Sequence, residues 1–252
     1  MGGTLAEERL CGGTALVTGG ARRLGRATAL ALAEAGVSVA VHYHRSSEEA
    51  GEVVDAVRAR GPRAEAFAAD LHDPAAGEEL FARAARALGP IDYLVNNASI
   101  FPAGGFEDLS VAAVETNMRV NAFAPMVLGR ALATQGRAGA IVNLLDARMG
   151  DYDARHLAYH LSKRMLFTLT RVMALEFAPR VRVGGVAPGL ILPPAGEDES
   201  YLERLAHTNP LQTHGAPADV VQAILFLLAS PFVTGQVIFV DGGRHMRGAV
   251  YG

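Results

Sequence analysis

Tryptophan is absent from the 252 residues and cysteine occurs once, at Cys11. A single cysteine excludes an intrachain disulfide and a multi-thiolate metal site, which leaves a reducing compartment, by default the cytoplasm, as the expected home. Charge of one sign is also lacking, since 23 basic against 26 acidic residues leave a formal net charge of −3. That balance gives no bulk electrostatic footprint for nucleic acid or an anionic membrane, and neither is expected as a partner. The start, MGGTLAEERLCGG, has Glu7 and Glu8 and no basic segment followed by an apolar run, so it does not read as a signal peptide. Ala6 stands where a myristoylation motif needs Ser or Thr. Residues 220 to 240 carry no charge, but Ser230-Pro231 and Thr234-Gly235-Gln236 divide them into an expected buried helix, a turn and a buried strand.

What is present is alternation. TALVT (14 to 18) precedes LGRATALALAEAG (24 to 36), VSVAVHY (37 to 43) precedes a helix from Ser47, RAEAFAA precedes a helix from Pro74 to Leu88, and IDYLVNN (91 to 97) follows. A long helix over about 110 to 134, a strand at 140 to 145, a helix over 155 to 178, a strand at 181 to 187, and a last helix with QVIFVDGG complete the set. Regular βα alternation predicts an α/β fold, a Rossmann-type doubly wound parallel sheet of about seven strands with helices on both faces, as one domain over 1 to 252. Residues 1 to 12 are expected to be flexible. The irregular stretch PGLILPPAGEDES with the segment after it, 188 to 208, reads as a substrate lid, or alternatively as a variable surface connection.

After the first strand, Thr18-Gly19-Gly20-Ala21-Arg22-Arg23-Leu24-Gly25 runs straight into a helix. Glycines let the backbone approach a pyrophosphate, and unpaired amides at a helix start supply donors to its charge. Arg23 occupies the place where a middle glycine is expected. At the end of the second strand, His42-Tyr43-His44-Arg45-Ser46 contains no carboxylate to hold ribose hydroxyls. His44, Arg45 and Ser46, with Arg22 or Arg23, suit a 2′-phosphate instead, so the expected cofactor is NADPH; the plain alternative makes Arg45 a solvated loop charge. Glu48 and Glu49 favour the next helix start.

Tyr159 and Lys163 lie four residues apart on one helix face, where a cation is expected to draw the phenol toward ionisation. Such a pair alone says little. In order along the chain, the Gly-rich turn, Asn96-Asn97-Ala98-Ser99, Asn121, Asp146, Tyr159/Lys163 and Pro188-Gly189 resemble the short-chain dehydrogenase/reductase family over about residues 14 to 243. The resemblance implies that Gly19, Asn97, Ala98, Ser99, Pro188 and Gly189 line the cofactor site. It also implies that Asp70 and Leu71 lie beside the adenine, that Asn121 holds a relay water, that Lys163 holds the nicotinamide ribose, and that Tyr159 donates a proton.

One departure carries the substrate expectation. Most of the family has a serine thirteen residues before the tyrosine (159 − 146 = 13), where this chain has Asp146. A carboxylate opposes a developing alkoxide but accepts hydrogen bonds from amino and ring N–H groups, or supplies a proton to a C=N bond. Together with GGARRLG (19 to 25), HYHRS (42 to 46) and NNASIF (96 to 101), it resembles the pteridine reductase branch. That branch implies substrate contacts from Arg23, Ser99, Phe101, Asp146, His156 and Tyr159, with Phe101 covering one pterin face; the plain alternative makes Phe101 ordinary loop packing. HLAYHLSK and DGGRH look closer to dihydromonapterin reductases, which favours a dihydropterin as the small-molecule substrate. His156 and His160 have i, i+4 metal-ligand spacing without a third ligand, so no metal is expected. Arg244 and Arg247 read as a solvated tail, with Arg247 reaching a neighbour's pocket in the homotetramer that the family implies. A carbonyl reductase acting on a 3-oxoacyl thioester or a quinone, and a non-catalytic NADPH-binding protein, are the rival readings.

Overall fold

Strand β1 (Thr14–Val17) is buried along its whole length, as an apolar run between two covered faces must be. In the computed structural model, which describes residues 5–150, 154–194 and 196–247, it lies inside a seven-stranded sheet. The other strands are β2 (Ser38–Tyr43), β3 (Ala64–Ala68), β4 (Tyr93–Asn96), β5 (Gly139–Leu144), β6 (Val181–Pro188) and β7 (Val237–Val240). The order is β3-β2-β1-β4-β5-β6-β7, and each neighbouring pair is parallel. The strand order reverses between β1 and β4, so their carboxyl ends open the crevice in which such sheets take ligands.

Helices α2 (Arg23–Glu34), α3 (Ser47–Arg58) and α9 (Pro217–Ala229) pack on one face around Val17, Val41, Leu32, Val53 and Ile224. The other face is covered by α4 (Pro74–Leu88), α6 (Ala124–Thr134) and α7 (Leu157–Glu176), around Leu16, Leu80, Leu94, Leu128 and Met173. The helix expected over 110 to 134 divides into α5 (Val111–Met118), a π-helical segment Arg119–Phe123 and α6. The extra residue of a π turn reorients the side chains it carries, and here it carries Asn121. A buried polar chain seats α7 against the sheet: Asn96 Nδ2 donates to Asn143 Oδ1 (2.8 Å), and Asn143 Nδ2 donates to Thr170 Oγ1 (2.9 Å).

Within residues 1 to 12, expected to be flexible, Leu5–Leu10 form the short helix α1, with Leu10 only 1% exposed and Tyr93 donating to the Arg9 carbonyl at 3.4 Å. Burial of Leu10 gives that segment an anchor that its glycine-rich surroundings conceal; residues 1 to 4 lie outside the described residues. Strand β7, read as buried, is half-buried along its length because it forms the sheet edge and pairs only with β6. Among the described residues no helix is long and apolar enough to cross a membrane, and the charge-free 220 to 240 stretch is divided between α9 and β7 as its breakers predict. The 188 to 208 stretch contains α8 (Glu199–Leu205), whose start is capped by Asp198 accepting from the Ser200 amide at 3.0 Å.

Candidate active site

At the β1–α2 turn, Gly19 has φ +61 and Arg23 has φ +52. Arg23 therefore takes the left-handed backbone that the expected glycine would take, at a steric cost on the order of 1–2 kcal/mol. Gly25 fits because it lacks a Cβ, which would come within 2.0 Å of the Gly19 carbonyl oxygen. The turn is braced from behind. The Asn97 amide donates to the Thr18 carbonyl (2.9 Å) and the Gly19 carbonyl (3.1 Å), and the Asn97 and Ala98 N–H groups donate to Thr18 Oγ1 at 2.9 and 3.0 Å. His42 Nδ1 accepts from the Gly19 N–H at 3.0 Å, while its other ring nitrogen lies 3.2 Å from the Ala69 carbonyl. Burial lowers the His42 pKa to about 4, so the ring is neutral and can serve as that acceptor. Thr18 and His42 are supports that the motif reading missed; the polar His42 inside an otherwise apolar strand was the signal for one of them.

A dinucleotide fits this end. No side chain caps α2 and its first turn holds no carboxylate, so its leading amides remain available to an anion. Beside it lies a cleft of about 480 Å³ lined by Gly19, Arg22, His44, Arg45, Ser46 and Ile100 among others, without an acidic lining residue among the described residues. Arg45 is exposed there, whereas Arg22 is ion-paired with Glu49 at the start of α3. Glu49, read as a helix-start charge, thus also holds Arg22. At the neighbouring β3 end, Leu71 is buried and exposed Asp70 accepts from the His72 N–H at 3.0 Å. Leu24 is partly buried against the core beneath the turn.

The catalytic candidates converge from β5 and α7. Tyr159 Oη donates to Asp146 Oδ2 at 2.8 Å, and the Arg148 N–H donates to Asp146 Oδ1 at 2.7 Å. Lys163 Nζ donates to the Leu144 carbonyl at 2.7 Å and stands 5.6 Å from the Tyr159 ring centre. Desolvation, reinforced by the adjacent Asp146 carboxylate, pushes the Tyr159 pKa well above its ordinary value. The phenol is thus shifted upward, by burial and Asp146, where the sequence reading expects Lys163 to draw it toward ionisation. Lys163 itself is lowered to about 8 by complete burial, against an upward pull from Asp146.

Asn121 braces the 99–100 segment against α7. Its Oδ1 accepts from Ser99 Oγ (3.1 Å) and the Ile100 N–H (2.9 Å), and its Nδ2 donates to the Ile100 carbonyl (3.0 Å) and Ser162 Oγ (2.9 Å). All four side-chain hydrogen-bonding places are filled by protein, so a relay water is left only its main-chain carbonyl. Ser99 accordingly points to Asn121 in this arrangement.

A cavity of about 180 Å³ brings together Phe101, Asp146, Pro188, Gly189, Tyr201 and Arg244 among its lining groups. Phe101 is 54% exposed, stacks on His156 at 4.0 Å between ring centres and meets Tyr159 edge to face at 4.5 Å, with planes 85° apart. His156 therefore backs Phe101 instead of lining the cavity, whereas His160, weighed in the sequence only for metal spacing, lines it. Among the described residues no cluster of three metal-ligating side chains occurs. Arg23 Nη2 donates to the Pro193 carbonyl at 2.7 Å, tying the first turn to the 188 to 208 stretch. Arg244, read as tail, lines the cavity; Arg247 donates to the His207 carbonyl of its own chain at 3.2 Å. A more voluminous cavity of about 580 Å³ under Phe239 and His245 holds none of Asp146, Tyr159 and Lys163.

Comparison with known proteins follows this geometry. A family model described as enoyl-(acyl carrier protein) reductase matches residues 19–245. The chain is 34% identical to versicolorin reductase 1 of Aspergillus parasiticus, over 94% of this chain and 98% of that protein. It is also 34% identical to pteridine reductase 1 of Leishmania tarentolae, over 93% of this chain and 97% of that protein. Among solved structures, FolM alternative dihydrofolate reductase 1 from Brucella canis, complexed with NADP, superposes with a TM-score of 0.87 at 32% identity, covering 94% of this chain and 96% of that one.

Proposed function

The chain belongs to the short-chain dehydrogenase/reductase family, and on that premise we propose that it is an NADPH-dependent reductase of a dihydropterin-type substrate. The observation that carries the substrate is Asp146: its carboxylate lines the cavity and is oriented by one donor on each oxygen, from Tyr159 Oη and the Arg148 N–H. Each carboxylate oxygen keeps a further lone pair, and amino and ring N–H groups of a pterin are donors of the kind that complete it. Phe101, backed by His156, offers a flat exposed face to the heterocycle. NADP(H) as cofactor is supported by the cleft at His44, Arg45 and Ser46, with the exposed Arg45 guanidinium, and by the NADP bound in the related structure.

When bound, NADPH supplies a hydride to the carbon of a ring C=N bond. The proton that completes the reduction reaches the adjacent nitrogen from Tyr159 Oη, which its surroundings keep protonated and its 2.8 Å bond to Asp146 Oδ2 holds in place, and solvent then returns a proton to the phenolate. Lys163, anchored on the Leu144 carbonyl, is the residue that would hold the nicotinamide ribose. The same reading includes a cytoplasmic homotetramer, for which the unpaired β7 edge and exposed Phe226 and Phe232 offer surface.

The test is loss of the NADPH absorbance band with dihydromonapterin, dihydrobiopterin, dihydrofolate, a 3-oxoacyl thioester and a quinone in parallel. Faster oxidation with a dihydropterin is expected. Turnover confined to the thioester or quinone would overturn the substrate reading, and binding without turnover across the panel would overturn the enzyme reading.

A further inference from the structure

We infer that Arg244 is a specificity-determining residue that reads an anionic group on the side chain of the substrate. The inference rests on the dihydropterin reading and deepens it. Arg244 lines the same cavity as Asp146 and Phe101 and is half-buried there. Its guanidinium makes no hydrogen bond or ion pair among the described residues. The half-buried Arg182 behaves differently, giving its guanidinium to the carbonyls of Leu227, Leu228 and Ser230 at 2.6 to 2.8 Å. A partly desolvated guanidinium without acceptors is costly to maintain for packing alone, and it matches carboxylate or phosphate oxygens in a bidentate fork.

The backbone that presents Arg244 is built rigidly. Gly242 and Gly243 both have left-handed φ, at +62 and +85. Buried Asp241 closes the turn, accepting from the Gly243 N–H (2.9 Å), the His245 N–H (2.7 Å) and the His245 ring (2.8 Å), while the Arg244 N–H donates to the Asp241 carbonyl (3.2 Å). His245 is stacked on Phe239 at 4.0 Å. Gly189 lets this turn approach the β6 end, since a Cβ there would lie 2.6 Å from Asp241 Cβ. An ordered turn, held by a buried carboxylate, thus delivers an unpaired cation to a cavity whose only acidic lining residue among the described residues, Asp146, is already bonded to Tyr159. A dihydropterin would set its ring donors on Asp146 and direct a charged side chain toward Arg244.

The experiment compares kcat/KM at saturating NADPH for three 7,8-dihydropterins: one with an uncharged hydroxyalkyl side chain, its phosphate monoester, and dihydrofolate with its carboxylates. Wild type, Arg244→Gln and Arg244→Lys are measured together. Wild type is expected to favour at least one anionic substrate over the uncharged one. That ratio should fall about tenfold or more in Arg244→Gln, chiefly through KM, and be largely restored in Arg244→Lys, which keeps the charge. Preference for the phosphate or for the carboxylates identifies the source of the anion. A wild-type ratio at or below one, a ratio unchanged in Arg244→Gln, or equal losses on charged and uncharged substrates would overturn the inference while turnover of the uncharged dihydropterin leaves the reading of function standing. Absence of turnover with all three overturns both.

Discussion

The two ends of the crevice are built from different materials. The dinucleotide end is a backbone device: uncapped amides at the start of α2, a turn braced by Asn97 and His42, and exposed cations at its mouth. The reacting end is a side-chain device, in which the Asp146 carboxylate stands close enough to pull both buried Tyr159 and buried Lys163 toward their protonated forms. Charges at the first end are solvated and individually modest; charges at the second are desolvated and coupled, so each substitution there should cost more.

Tyr159→Phe should give the largest effect. It removes the donor to Asp146 Oδ2 and the proton reservoir together, so kcat on a dihydropterin should fall by roughly 100-fold or more while cofactor affinity, measured by fluorescence titration, stays close to wild type. A parallel loss of cofactor affinity would erase the division between the two ends.

Lys163→Met tests the buried charge through stability. A lysine lowered from 10.5 to about 8 binds fewer protons when folded than when unfolded between those values. Its contribution to stability therefore rises as pH goes from about 8 to 10.5, and below 8 the folded chain bears the full cost of the buried ammonium, roughly 3 kcal/mol. Lys163→Met should lose activity, yet resist urea better at pH 7 and lack the alkaline rise expected of wild type. A variant less stable at pH 7 would show that the bond to the Leu144 carbonyl outweighs desolvation.

At the exposed end, Arg45→Ala should reduce the NADPH-over-NADH preference in kcat/KM by about tenfold, the worth of one charge-assisted contact, and leave protein stability within about 0.5 kcal/mol. An unchanged preference would return Arg45 to the solvated-charge reading.

This division also explains what was legible in the chain. The parallel sheet and its helix cover followed from βα alternation, and the β1–α2 turn from its glycines, because these are local backbone consequences of local sequence. Arg23 shows the limit of motif spelling: a non-glycine supplies the left-handed φ, and its side chain reaches Pro193. Asp146 was recognisable from its spacing to Tyr159, but the upward shift of the tyrosine was not, since it depends on burial that neither residue encodes alone. Arg244 was misread as tail because its place in the cavity depends on the packing of Gly189 against Asp241, residues 52 positions apart (241 − 189 = 52) on different strand ends. The π-helical interruption at Asn121 left no sequence signal that hydrophobic periodicity could detect.

The most direct measurement of the central claim is kcat/KM of Asp146→Ser against wild type, on a dihydropterin and on a simple ketone in the same preparation. The carboxylate account predicts a loss of about 100-fold or more on the dihydropterin and little loss, or a gain, on the ketone. Equal losses on both substrates would contradict it.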